Sequence, residues 1–178
     1  MNKNIETAIV GAGCFWCTEA VFQEVKGVEK VVSGYSGGID PREPTYREIC
    51  SGLTGYAEVI EITFDAGSIS FEEILLIFMT THDPTTLNKQ GADRGTQYRS
   101  VIFYQNEKQA IISKKVIQQL SEVYEDNIVT EISPVSTFYK AGIEHQNFYK
   151  ENPELGYCSY VITPKLNKLR QLHADKLK

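Results

Sequence analysis

A glycine-flanked elbow near the start of the chain constrains the fold more than any other feature. Residues 6–10 read as a short strand running into Gly11-Ala12-Gly13. A helix is expected to begin near Cys14 and run to about Val25, with Ala20, Val21, Phe22 and Val25 on its apolar side. Two glycines let the backbone turn tightly between the two. A strand that converts to a helix within three residues calls for layers, with the helix packed back onto a sheet.

The rest of the sequence repeats that alternation. Gly27 stops the first helix, and residues 28–35 alternate and are rich in β-branched side chains, as a strand requires. A turn at 40–44 precedes a short helix over 45–50. Residues 56–64 carry the apolar alternation of a strand. Ser70 with Glu73 three residues on forms a capping box for a helix to about Thr80. Residues 82–96 are polar and hold Pro84, Gly91 and Gly95; a loop that long is usually functional. A strand at 98–104, a helix at 106–124 and a short strand at 128–132 follow. Residues 141–150 read as loop or short helix, 155–162 as partly extended, and the tail from Pro164 as basic and helix-prone. The expected fold is α+β: a single two-layer domain over residues 1–178, with a mixed, mostly antiparallel sheet and packed helices.

Composition narrows the function. The net charge of −5 argues against nucleic acid or an anionic membrane as partner. The first residues lack a basic segment leading into a long apolar core, so no signal peptide is expected. The longest apolar run, residues 74–79, is too short to span a bilayer. A cytoplasmic location is expected, and nothing in the sequence calls for more than a monomer. In a reducing compartment, close cysteine pairs are more often catalytic or metal-binding than structural.

Four cysteines are present: Cys14, Cys17, Cys50 and Cys158. A thiolate is the reactive form of cysteine, and a cysteine at the first residues of a helix faces free N–H groups and the positive end of the dipole. Cys14 therefore stands where a nucleophile belongs. Phe15 and Trp16, the single tryptophan, either form a pocket for a small apolar group such as an S-methyl or belong to the core. The Cys14-x-x-Cys17 pair admits a dithiol redox couple or half of a zinc site. Cys50 and Cys158 are isolated and no histidine pair completes four ligands, so neither metal nor cofactor is expected.

Gly13-Cys14-Phe15-Trp16 resembles the nucleophile motif of the A-type peptide methionine sulfoxide reductases. Further segments agree in order: Gly34-Tyr35-Ser36-Gly37-Gly38, Pro44-Thr45-Tyr46, Gly55-Tyr56-Ala57-Glu58, His82-Asp83-Pro84, the run from Gln90 to Ser100, His145-Gln146 and Gly156-Tyr157-Cys158. The resemblance covers about residues 6 to 162. It implies a ferredoxin-like core and a protein-repair enzyme of oxidative stress. Such an enzyme reduces methionine-S-sulfoxide, free or in proteins, and is recycled by thioredoxin.

By the same resemblance, Cys14 attacks the sulfoxide sulfur and becomes a sulfenic acid. Glu58 is the acid, Tyr46 and Tyr98 hydrogen-bond the sulfoxide oxygen, Asp93 shapes the substrate site, and Phe15 and Trp16 form the methyl pocket. Cys158 matches the first resolving cysteine and is the preferred partner of Cys14. Three departures stand out. Cys17 replaces a common glycine and is a possible second recycling thiol, acting directly or in relay with Cys158. The tail has no cysteine. Tyr56 replaces a usual histidine. Cys50 matches a non-catalytic position and is expected to be a buried small residue. The competing reading is a thiol–disulfide oxidoreductase that uses Cys14 and Cys17 alone.

Overall fold

Antiparallel pairing brings the distant segments of this chain together at one end of a sheet. The computed structural model describes residues 2–178. Strand β1 (Ile5–Ala12) enters the elbow, and helix α1 (Phe15–Gln23) leaves it. Then come β2 (Val28–Ser36), α2 (Tyr46–Cys50), β3 (Ala57–Asp65) and α3 (Phe71–Thr80). The capping boxes at Thr45/Glu48 and Ser70/Glu73 both form. The long polar loop folds into a small hairpin, β4 (Lys89–Gln90) and β5 (Asp93–Arg94). It is followed by β6 (Ser100–Tyr104), α4 (Glu107–Leu120), β7 (Glu131–Pro134), β8 (Tyr139–Lys140), α5 (Phe148–Glu151) and α6 (Thr163–Leu172).

The main sheet has the order β7-β6-β1-β3-β2-β8, antiparallel throughout except for the parallel β6–β7 pair. Its inner strands β6-β1-β3-β2, with α1 and α3 as crossovers, make the ferredoxin-like split β-α-β arrangement. The α+β expectation, with a mixed and mostly antiparallel sheet, holds. Alternate side chains divide the two faces. Ala8, Val10, Ile60, Ile62 and Phe64 pack under the helices, while Ile9, Val59, Val101 and Phe103 form a thinner cluster on the other face, covered by Val135 and Phe138. Helix α3 packs an apolar face into the core, and its Met79 is fully buried. The Thr130 hydroxyl donates to the Met79 sulfur at 3.8 Å.

His82 pins the start of the 82–96 loop. Burial pushes its imidazole down to about 3, so it is neutral. Its Nδ1 faces the Phe78 carbonyl and its Nε2 lies 2.7 Å from the Ser100 hydroxyl.

The stretch expected to be extended is helical instead. A π-helical turn (Cys158–Ile162) runs directly into α6. Cys158, Ile162, Leu166 and Leu169 fall on one face and are all buried, which outweighs the strand preference of Tyr160 and Val161. Pro164 sits in the first turn of α6, where a missing N–H costs nothing. The third short strand runs from Glu131 rather than 128. β8 lay unread in the sequence because two residues leave no period to detect.

Candidate active site

The elbow works because of where β1 ends. In the β1–β3 register, Val10 faces Ile60, so the last residues of β1 lie beside the first residues of β3. The ends of β2 and the start of β6 flank the same corner, with Tyr35 opposite Glu58 and Ala12 opposite Ser100. Gly13 turns the chain at φ +88°, and a Cβ there would lie 2.6 Å from Cβ of Gln90. Both facts require glycine. Cys14 is the N-cap residue of α1.

The Phe15 N–H donates to Glu58 Oε1 at 3.2 Å. Glu58 is only 2% exposed, and burial pushes its carboxyl up to about 8, with the negative charge of Asp93 adding to the effect. The carboxyl is therefore protonated at neutral pH, and since Oε1 accepts from Phe15 the proton belongs to Oε2.

Burial also pushes the Cys14 thiol well up, against the pull of the Trp16 N–H. The helix N-terminus alone does not ionise it, as the sequence had suggested, because the desolvation of a fully enclosed sulfur is larger. Cys17 moves the other way. The neighbouring Cys14 brings it down to about 7, and the positive charge of Lys165 reinforces the shift. The Cys14–Cys17 pair therefore carries its first negative charge near neutrality.

The aromatic side of the site is centred on His145, 6% exposed, which the sequence suggested would help order the site without a catalytic role. The Trp16 Nε1–H donates to His145 Nδ1 at 3.2 Å. The imidazole ring lies 4.3 Å from Tyr46 and 5.4 Å from Phe15. Phe148 covers one face of Trp16 at 3.6 Å, nearly parallel. Trp16 is half-buried, whereas Phe15 is 1% exposed and backs the site from beneath. Tyr46 is 38% exposed on α2, and Tyr98 is half-buried on the 3-10 turn before β6.

Tyr157 was missed as a site residue. Its hydroxyl lies 3.6 Å from the Cys17 sulfur and donates to Asp93 Oδ2 at 2.9 Å. A cleft of about 300 Å³ opens beside Cys14 and Cys17 and is lined by Gln90, Asp93, Tyr157 and Lys165. The larger groove of about 380 Å³, at the opposite end of β2, holds none of these reactive residues. Cys158 is fully buried behind the cleft, and burial raises its thiol. Cys50 is exposed rather than buried, because it faces outward at the end of the short helix α2. All four cysteines are free thiols. Among the described residues no group of His, Cys, Asp and Glu has the geometry to hold a metal ion, and no helix is long and apolar enough to cross a membrane.

Comparison with known proteins gives one consistent result. The family model described as peptide methionine sulfoxide reductase matches residues 6–177. The chain is 53% identical over 175 residues to the peptide methionine sulfoxide reductase MsrA of Deinococcus radiodurans, covering 97% of this chain and 84% of that one. It is 50% identical over 174 residues to the enzyme of the same name from Saccharolobus solfataricus, covering 98% of each. Among solved structures, reduced Mxr1 from Saccharomyces cerevisiae superposes with a TM-score of 0.80 at 30% identity, over 86% of this chain and 89% of that one. Methionine sulfoxide reductase A of Corynebacterium diphtheriae does so with a TM-score of 0.78 at 37% identity, over 89% and 80%.

Proposed function

The chain belongs to the peptide methionine sulfoxide reductase family, and on that premise we propose that it reduces methionine-S-sulfoxide, free or in proteins, through Cys14 and the protonated carboxyl of Glu58. The observation that carries this reading is the Phe15 N–H bond, which fixes a neutral, buried acid beside the residue that follows the nucleophile.

The substrate's S-methyl lies against Trp16, backed by Phe15 and held in place by His145. The sulfoxide oxygen lies toward Glu58, Tyr46 and Tyr98. Burial raises the pKa of both phenols, so they stay neutral and donate. Cys14 loses its proton to the Cys17 thiolate and attacks the sulfoxide sulfur while Glu58 Oε2 protonates the oxygen. The sulfur–oxygen bond of the substrate breaks, the oxygen ends on the Cys14 sulfur as sulfenic acid, and methionine departs. The substrate sulfur gains two electrons and the Cys14 sulfur loses two. The net change is thiol plus sulfoxide to sulfenic acid plus thioether.

A second thiol then attacks the sulfenic acid, forming a disulfide and releasing water. Cys158 was the preferred partner on sequence grounds. Cys17 lies three residues from Cys14 and lines the same cleft, which Cys158 does not, and this favours Cys17 as the first to react. Cys158 then takes the disulfide from Cys17 when the π-helical turn loosens. π-Helical turns recur at functional sites. A dithiol protein of the thioredoxin class opens the final disulfide. Four free thiols are consistent with a reducing cytoplasm as its location.

The direct test is reduction of each methionine sulfoxide epimer with dithiothreitol. The S epimer should disappear and the R epimer persist, and Cys14→Ser should abolish the reaction. An S epimer left untouched by wild-type protein would refute the proposal.

A further inference from the structure

Tyr35 presents a hydroxyl that the resting site does not use. The residue is 3% exposed at the end of β2, and its oxygen is buried without a hydrogen-bond partner. A phenylalanine would fill the same space against Phe15, whose ring lies 5.5 Å away, and would leave no donor unsatisfied. The hydroxyl therefore needs a state in which an acceptor is present.

That acceptor is on the neighbouring strand. Tyr35 and Glu58 are directly opposed in the β2–β3 register, so their side chains leave the sheet on the same face. The negative charge of Glu58 acts on the phenol more than that of any other group, ahead of Tyr46, Cys50 and Glu144. In its neutral form Glu58 gives little to accept with, and only Oε1 is held, by the Phe15 N–H. Once Oε2 gives up its proton, a carboxylate is left in a dry pocket with one oxygen bare.

We infer that Tyr35 is a positioning residue for the acid: its hydroxyl donates to Glu58 Oε2 once the proton has left for the sulfoxide oxygen. The torsion about the last bond of a glutamate is soft, so the carboxylate can turn Oε2 toward the hydroxyl. The donor then stabilises charge only where it develops, which lowers the barrier without tightening substrate binding. This inference rests on Glu58 being the proton donor.

The test is Tyr35→Phe in single-turnover reduction of methionine-S-sulfoxide across pH, alongside Glu58→Gln. Glu58 is faced by Cys14 at the head of α1, Cys17 within it, Tyr46 from α2, Asp93 from β5 and Tyr98 from the following turn, all unchanged in Tyr35→Phe. The rate should fall by roughly tenfold or more at saturation with KM unchanged. The alkaline limb should move upward, because the carboxylate has lost a donor. Thermal stability at neutral pH should not fall, since no bond is lost in the resting state. The carboxylic-acid C=O stretch of Glu58, followed by infrared difference spectroscopy against Glu58→Gln, reads the same shift without turnover. An unmoved alkaline limb and stretch, or a loss confined to KM, overturns the inference. A Glu58→Gln protein that keeps the wild-type rate overturns the acid assignment itself, whatever Tyr35→Phe does.

Discussion

The amide of Phe15 holds Oε1 of Glu58 at 3.2 Å, so the first helical N–H after Cys14 secures the carboxyl proposed as the acid. The free N–H groups at a helix start normally serve an anion. Here the N–H serves a neutral carboxyl, and the helix thereby fixes nucleophile and acid in one frame.

Glu58 sets a pH dependence of stability with a definite sign. Its folded value of about 8 lies above the unfolded value of about 4.3, so the folded state binds the proton more tightly. Its contribution to stability is complete below about pH 4 and is lost as pH rises toward 8. Glu58→Gln should therefore melt higher than wild type at pH 8.5 and close to it at pH 5, with catalysis lost at both. Equal melting curves at pH 8.5 would show that the carboxyl titrates normally.

The chemical step should have a bell-shaped pH profile. The rate should rise as the Cys14–Cys17 pair loses its first proton near 7 and fall as Glu58 loses its own near 8. Single-turnover formation of methionine, measured by rapid quench, reads both limbs. In Cys17→Ser the acid limb should move to higher pH, because the buried Cys14 thiol no longer has a thiolate partner.

The order of the thiols can be read from trapped products. Cys158→Ser should still yield one methionine and a Cys14–Cys17 disulfide, with turnover by thioredoxin lost or sharply reduced. Cys17→Ser should yield one methionine and accumulate sulfenic acid, detectable by dimedone labelling. A rapid Cys14–Cys158 disulfide in Cys17→Ser would return Cys158 to the first position.

His145→Phe should act on binding. The indole N–H of Trp16 loses its acceptor, at a cost of about 1 kcal/mol. KM for the sulfoxide should rise on the order of fivefold with a smaller change in kcat. The emission of the single tryptophan should shift at once. An unchanged spectrum would mean that the imidazole does not hold the ring.

The sequence made the corner legible wherever chemistry leaves a pattern. The elbow, the alternation of β3 and the serine cap of α3 each follow a local rule, and the structure keeps them. Cys158 to Ile162 misled because its helical face is defined by residues that continue to Leu169, beyond the window that looked extended. Tyr157 escaped, and the partner of His145 stayed hidden, because Asp93 and Trp16 lie 64 and 129 residues away in the chain. The thiol balance of Cys14 could not be read either, since burial outweighs the helix end and only packing reveals burial.

Met79 gives the fold a further consequence. Apart from Met1 it is the only methionine in the chain, and α3 seals it completely. Oxidants that generate the substrate find no accessible thioether on the described surface of the catalyst. The packing of α3 thus shields Met79 from the kind of damage this family reverses, in the conditions that create demand for the enzyme.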